Sequence, residues 1–170
     1  MNETKILRSI NEAPDDSGYW KKINSLLLQQ PKTIVVLDDD PTGTQTVYNI
    51  PVITEWTEAV LEEEITKSRL FFILTNSRSL QKKEANELAF LIGQRLEKIA
   101  QKHQKELLVI SRSDSTLRGH YPYEVDALAK GLGIASAKHI LVPAFFDGGR
   151  YTFDDVHYIK EGERFIPVGD

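Results

Sequence analysis

The sequence predicts an α/β domain: a mainly parallel sheet flanked by helices in three layers, with a C-terminal β-hairpin excursion. Three observations predict it. Short β-branched or apolar runs recur at residues 33–37, 70–74, 107–110 and 140–142, and each reads as a buried strand. Segments of helical periodicity alternate with them, which implies parallel strands covered on both faces. After Pro143 the texture changes to turn signals and alternating residues, the pattern of hairpins.

Taken in order, the first sixteen residues are polar and acidic. Trp20, Ile23, Leu26 and Leu27 then fall at helical spacing, with Asp15, Asp16 or Ser17 as the cap and Pro31 as the stop. Residues 1–30 are therefore expected to form a peripheral segment and helix. Residues 33–37 form the first strand, and residues 52–54 a short second one. Thr57 caps a helix carrying Val60, Leu61 and Ile65. After the apolar run 70–74 comes the clearest helix. Ala85, Leu88, Ala89, Ile92, Leu96, Ile99 and Ala100 keep the 3.6-residue period, with Ser79 as the predicted N-cap. The strand 107–110 leads to a helix through Val125, Leu128, Ala129 and Leu132, closed by Gly131 and Gly133. A last parallel strand is predicted at 140–142. Turns at Asp147-Gly148-Gly149 and Glu161-Gly162 then bracket a β-like stretch at 156–160, giving one or two hairpins.

The chain has 170 residues, enough for a single domain with its own core. Its net charge is −4 and no block of Lys and Arg stands out, which argues against nucleic-acid binding through a basic face. Without cysteine there is no disulfide, no thiolate zinc site and no cysteine nucleophile. The polar N-terminus is not a signal peptide, and no apolar run reaches the length of a membrane span. A soluble, cytoplasmic protein without a membrane partner is expected. No two histidines have metal-ligand spacing, so no resident metal is predicted, and there is no P-loop.

In parallel α/β folds ligands bind beyond the carboxyl ends of the strands. Four such ends here are polar: DDDPTGTQT at 38–46, TNSRS at 75–79, SRSDSTLRGH at 111–120 and PAFFDGGRYT at 143–152. Three successive carboxylates repel one another, so at least one is expected to have a raised pKa unless it is compensated. One of them can take a proton from a substrate hydroxyl. Arg118 is read as sitting where a helix begins. There its guanidinium and the first free N–H groups of the helix would share an anion. Ser113, Ser115 and Thr116 are each fit to cap that helix or to bind a ligand. Gly148, Gly149 and Arg150 form either a plain turn or a close approach of backbone to ligand. His157 is read as a structural hairpin residue. So much hydrogen-bonding capacity points to a small polyhydroxylated acid.

DDPTG at 39–43, SRS at 77–79, DSTLRGH at 114–120 and PAFFDGGRYT resemble the N-terminal domain of the four-carbon acid sugar kinases, over most of the chain from about Thr33. The resemblance implies a sugar-acid-binding domain that works with a separate nucleotide-binding domain, in cis or in trans. Together they would phosphorylate threonate, erythronate or an oxo form. ATP and Mg2+ are then bound mainly by the other domain. It also implies that Asp39 and Asp40 face the acceptor hydroxyl, either of them as the base. Substrate would be held by Ser77, Arg78, Arg112, Asp114, Ser115, Thr116, Arg118, Gly119, Gly149 and Arg150. Alone, this chain is expected to bind the acid without kinase activity, and the face that meets a second domain would favour self-association. Asp38, Thr44, Ser111-Arg112 and His120 depart from the common family pattern.

Two other readings compete. Asp38-x-Asp40-x-Thr42 and the apolar strand ending in Thr75-Asn76-Ser77 also fit an Mg2+-dependent phosphohydrolase of the haloacid dehalogenase type. Asp38 would be its nucleophile and Asp154-Asp155 its fourth motif. That reading leaves DSTLRGH without a role. The other is a ligand-sensing module derived from a kinase domain.

Overall fold

The structure, a computed structural model, describes residues 18–29 and 32–169. These divide into two compact units. The larger comprises residues 26–113 and 119–138, and the smaller comprises residues 18–25, 114–118 and 139–169, within the described set.

The larger unit holds a four-stranded parallel sheet of β1 (Thr33–Asp38), β2 (Val52–Ile53), β3 (Leu70–Leu74) and β4 (Leu107–Arg112), in the order β2-β3-β1-β4. In register, Val35 lies between Phe71 and Val109, and Leu37 between Ile73 and Ser111. Side chains alternate across a strand, so Val35, Leu37, Phe71 and Ile73 share one face. Against that face pack α2 (Glu58–Lys67), α3 (Lys82–His103) and α4 (Tyr123–Gly131), through Leu61, Ile65, Ala89, Ile92, Leu96, Ile99 and Leu128. On the other face Val36 and Phe72 are buried, while Leu108 and Ile110 on β4 stay exposed. Connections that lead from β1 to β3 on one side, then back across to β4 on the other, place a topological switch point between β1 and β4.

Helix ends follow local chemistry. Thr57 Oγ accepts the Val60 N–H and caps α2 as predicted. The N-cap of α3 is Gln81, whose N–H donates to Glu84 Oε2 at 3.1 Å. Ser79 is not the cap. It closes a 3₁₀ turn (Ser77–Ser79) entered through Asn76 in the left-handed region at φ 51°, and that turn moves the N-cap from Ser79 to Gln81. Gly133, at φ 71°, is the left-handed residue that ends α4.

Gly131 is the last residue of α4, as predicted, and has a second task. It is buried at the end of α4, where a Cβ would overlap Phe90 O and stand 3.1 Å from Gly93 Cα. A Cβ on Gly93 would in turn stand 2.7 Å from Leu128 O. The two helices therefore touch backbone to backbone.

The smaller unit is an antiparallel sheet of β5 (Arg150–Phe153), β6 (Val156–Glu161) and β7 (Arg164–Pro167) in that order, which makes two hairpins. Asp154 and Asp155 both take positive φ, 46° and 60°, in a two-residue turn whose twist matches the flanking strands. Tyr158 and Phe165 form its small core with Tyr151 and Phe153, and the Tyr151 and Phe165 rings meet edge to face at 5.3 Å.

The strand predicted at 140–142 is absent: these residues join neither sheet, and Ile140 is 88% exposed. The apolar run is only three residues long, and Pro143 behind it has no N–H for a ladder. Helix α1 (Tyr19–Gln29) forms where the spacing of Trp20, Ile23, Leu26 and Leu27 predicts, with every residue exposed. Its predicted caps, Asp15, Asp16 and Ser17, and its predicted stop, Pro31, lie outside the described residues. No described helix is long and apolar enough to cross a membrane.

Because α3 and α4 meet at bare Cα atoms, Gly131→Ala must push their axes apart. The expected cost is about 1–3 kcal/mol, read as a lower urea midpoint with an unchanged m-value.

Candidate functional site

In the larger unit the site begins where β1 runs out. Asp38 is its last residue, on the face opposite the helical core, and only 1% exposed. Its Oδ2 has no hydrogen-bond partner. Oδ1 receives only the distant N–H of Asp40, at 3.5 Å, and Arg112 Nη1 stands 3.8 Å from Oδ2. Gly43 closes over this carboxyl, for any Cβ there would overlap both of its oxygens. Arg112 donates to Gly43 O, so it ties down the turn that covers Asp38. Asp40 starts that 3₁₀ turn (Pro41–Thr46) by accepting the Thr42 N–H at 2.8 Å and the Thr42 hydroxyl.

Asp39 is compensated differently. Arg78 donates Nε–H to its Oδ2 at 3.1 Å and Nη2–H to its Oδ1 at 2.7 Å, a bidentate fork. Ser113 Oγ adds a third donor at 2.9 Å, and Arg78 Nη1 reaches Asp40 Oδ2 at 3.2 Å. The backbone repeats the link, Arg78 N–H to Asp39 O at 3.2 Å and Asp39 N–H to Arg112 O at 3.3 Å. Gly119 lies against the same carboxylate, where a Cβ would overlap Ser113 Oγ and stand 3.1 Å from Asp39 Oδ2. These residues follow the carboxyl ends of β1, β3 and β4.

Beneath the Ser77–Ser79 turn lies a group of which the sequence singles out Ser77, expected there to hold substrate, but not Glu124. The fully buried Ser77 donates its hydroxyl to Glu124 Oε1 at 2.6 Å. Thr75 Oγ1 lies 3.1 Å from Ser77 Oγ and 2.9 Å from Asp38 O, and His120 Nε2 lies 3.1 Å from Ser77 O. One signal could have found Glu124: it precedes Leu128 by four residues and so continues the apolar stripe of α4.

The smaller unit gathers the rest of the DSTLR stretch. Asp114 receives Arg118 Nε–H on Oδ2 at 2.7 Å, Nη2–H on Oδ1 at 2.9 Å and the Arg118 backbone N–H at 3.1 Å, together with the Thr116 hydroxyl. Leu117 turns the chain at φ 59°. The Asp114 side chain is nearly enclosed while the Arg118 side chain is 71% exposed. His157, buried on β6, sits with Nε2 2.6 Å from Ser115 O and Nδ1 2.9 Å from Thr152 Oγ1. It anchors this loop to the β5–β6 hairpin. Gly149, at φ 72°, accepts the Lys160 N–H at 2.8 Å, and Arg150 donates to Gly148 O.

One placement is corrected. Arg118 does not begin a helix, because α4 starts at Tyr123, after Pro122. None of Ser113, Ser115 and Thr116 is its cap. The Asp114–Arg118 turn and Pro122 together postpone the helix, so its N-terminal N–H groups are not neighbours of Arg118 in the chain. Asp154 and Asp155 stand in the antiparallel hairpin turn rather than at a parallel strand end, a poor setting for a phosphohydrolase's fourth motif.

The family model described as the sugar-binding N-terminal domain matches residues 34–169. The chain belongs to this family. It is the N-terminal domain of the four-carbon acid sugar kinases. Comparison with curated proteins and with solved structures returned no match.

The carboxyls of the sugar-binding domain are tuned in opposite directions. Burial pushes Asp38 up, only partly opposed by the Arg112 charge. Burial likewise raises Glu124, and the nearby Asp39 charge adds to it. Hydrogen bonds from Arg118 hold Asp114 well below the usual carboxylate range. Among the described residues no three His, Asp or Glu side chains are grouped to hold a metal ion.

Two outcomes follow from this chemistry. Arg78→Ala strands the buried Asp39 carboxylate and is expected to cost about 3–5 kcal/mol, measured by urea unfolding. A raised carboxyl favours the fold in its protonated form. The Asp38 contribution is thus present below its unfolded pKa of 3.8 and is lost as pH rises through the higher folded value. Asp38→Asn, neutral at every pH, should therefore gain stability over the wild type as pH climbs from 4 toward 7 and show no such gain below about pH 4. Thermal melts across that range test the sign.

Proposed function

We propose that this domain binds a four-carbon sugar acid of the threonate, erythronate or oxo type and presents one hydroxyl for phosphorylation by ATP. The observation that carries the reading is the Asp39–Asp40 pair held by one arginine at the sheet's switch point. A base for a substrate hydroxyl needs a carboxylate in a fixed orientation within reach of ligand. Arg78 orients both carboxylates, and Asp40 is the more accessible of the two. Asp40 takes the proton, and Asp39, which receives three donors on its two oxygens, holds the frame.

In the DSTLR loop the fork on Asp114 fixes the plane of the Arg118 guanidinium and leaves it open to water, as an anion-binding arginine requires. Arg118 is the loop's group for a carboxylate, with Ser115 and Thr116 beside it in the loop. Gly119, Gly149, Arg112 and Arg150 shape backbone in the two units more than they offer charge.

In this reading ATP and Mg2+ are bound by a nucleotide-binding domain in cis or in trans, because phosphoryl transfer needs the triphosphate and metal positioned as well as the acceptor. The complete enzyme works in the cytoplasm, and the isolated chain binds without turnover.

Calorimetric titration of the chain with a panel of four-carbon sugar acids tests this. One member should bind, and Arg118→Ala should weaken it at least about tenfold, with any loss of stability read separately from a thermal melt of the same variant, because the fork also serves the nearly enclosed Asp114 carboxylate. Silence across the whole panel, or acid binding indifferent to Arg118, would remove the reading.

A further inference from the structure

We propose that Glu124 is a positioning residue: through Ser77 it fixes the turn that aims Arg78 at Asp39 and Asp40. The inference deepens the function proposed above and rests on it for its binding readout.

The argument begins with an oddity of composition. Glu124 takes a place on the buried stripe of α4 that Leu128, Ala129 and Gly131 share. An apolar residue there would avoid the desolvation of a carboxyl, so packing alone does not call for glutamate. Its partner is specific. Ser77 has no exposed surface and donates to Glu124 at 2.6 Å.

Ser77 also opens the turn that carries Arg78. A three-residue 3₁₀ turn has few bonds of its own. Here they are Leu80 N–H to Ser77 O at 3.0 Å and Ser79 N–H to Asn76 O at 3.3 Å. Asn76 and Ser79 add side-chain bonds within the turn, the Arg78 N–H donates to Asp39 O, and Thr75 Oγ1 lies beside Ser77 Oγ. From below, Glu124 accepts the Ser77 hydroxyl and His120 lies beside the Ser77 carbonyl. Above the turn, Arg78 makes three side-chain bonds to two carboxylates. A bidentate fork tolerates little displacement, so a turn that rocks loses one arm first. The clamp thus joins the start of α4, through the Ser77 side chain, to the turn that carries Arg78 to the carboxylates at the end of β1.

The upward shift of the Glu124 carboxyl agrees with this role. A carboxyl held toward its neutral form resembles a primary amide, which also accepts from a hydroxyl. Glu124→Gln should keep the clamp, whereas Glu124→Ala and Ser77→Ala remove it from opposite ends.

The experiment uses the full chain and two readouts. The first is affinity for whichever four-carbon sugar acid binds the wild type. The second is the Arg78 Nε–H resonance in a 15N correlation spectrum, identified by its loss in Arg78→Lys, with its rate of exchange with water. The proposal expects Glu124→Gln to stay within about threefold of wild-type affinity with the resonance protected. It expects Ser77→Ala to weaken binding about tenfold or more while the Arg78 resonance exchanges faster, and Glu124→Ala to do the same. If Glu124→Ala fails to fold, Ser77→Ala, which loses one oxygen, still decides. A protected Arg78 resonance in Ser77→Ala would overturn the proposal whatever the affinity does. If no sugar acid binds even the wild type, the function proposed above fails, while the resonance still decides the clamp.

Discussion

Three consecutive carboxylates at the end of a buried strand set the terms for everything around them. Two unit charges about 5 Å apart repel by about 3 kcal/mol at an effective dielectric of 20, so Asp38, Asp39 and Asp40 could not stand together uncompensated. The protein gives each a different answer. Asp38 is enclosed and pushed toward its neutral form. Asp39 is gripped by Arg78 and Ser113. Asp40 becomes the cap of the next turn and shares the same arginine. Without the Arg78 fork the second and third answers fail together. The turn that bears Arg78, the bonds beneath that turn and the register of β1 against β3 and β4 are all arranged around it.

Two glycines show how closely the backbone gathers here. Gly43 admits the turn that covers Asp38, and Gly119 lets the chain after β4 pass along Asp39 and Ser113. Side chains at these positions would have to displace a carboxylate or a hydroxyl that is itself part of the arrangement. The glycines in DPTG and DSTLRG are therefore packing requirements of the carboxylate cluster as well as loop formers. Such motifs are specific because charge compensation and close approach must be met in the same few residues.

Much of the sheet unit is legible in the sequence because its signals are strong and local. Buried parallel strands are continuous apolar runs, and α3 repeats its pattern over six turns. The first residues of the site are legible for the same reason, since strand ends in a parallel sheet share an edge. What escapes depends on contacts distant in sequence. Ser79 has the chemistry of a cap, but the bonds from Arg78 to Asp39 require a 3₁₀ turn there first. Arg118 has the spacing of a helix start, but its fork on Asp114 and the proline at 122 move that start to Tyr123. The run 140–142 is apolar and yet pairs with no strand, because apolarity states a preference for burial without supplying a partner. Glu124 escapes most completely. A glutamate in a helix's first turn is ordinary by its dipole, and only the three-dimensional pairing with Ser77 gives it meaning.

Arg78, Arg112 and Arg118 separate by what each holds, and the separation argues for a division of labour. Arg78 is largely enclosed and spends its donors on two carboxylates, so it has become part of the frame. Arg112 is more open, yet its contact with Gly43 O commits it to the turn over Asp38, from where its charge also tempers the rise in that carboxyl's pKa. Arg118 is the most exposed, and a carboxylate partner, Asp114, lies four residues away in its own loop. A guanidinium oriented by a local carboxylate keeps its plane fixed without burying its charge, which spares an incoming anion both the ordering and most of the desolvation that a buried arginine would demand. Identical side chains thus serve as frame and latch, and, in the function proposed above, as contact. What distinguishes them is how far the surrounding structure has already used the donors that each one brings.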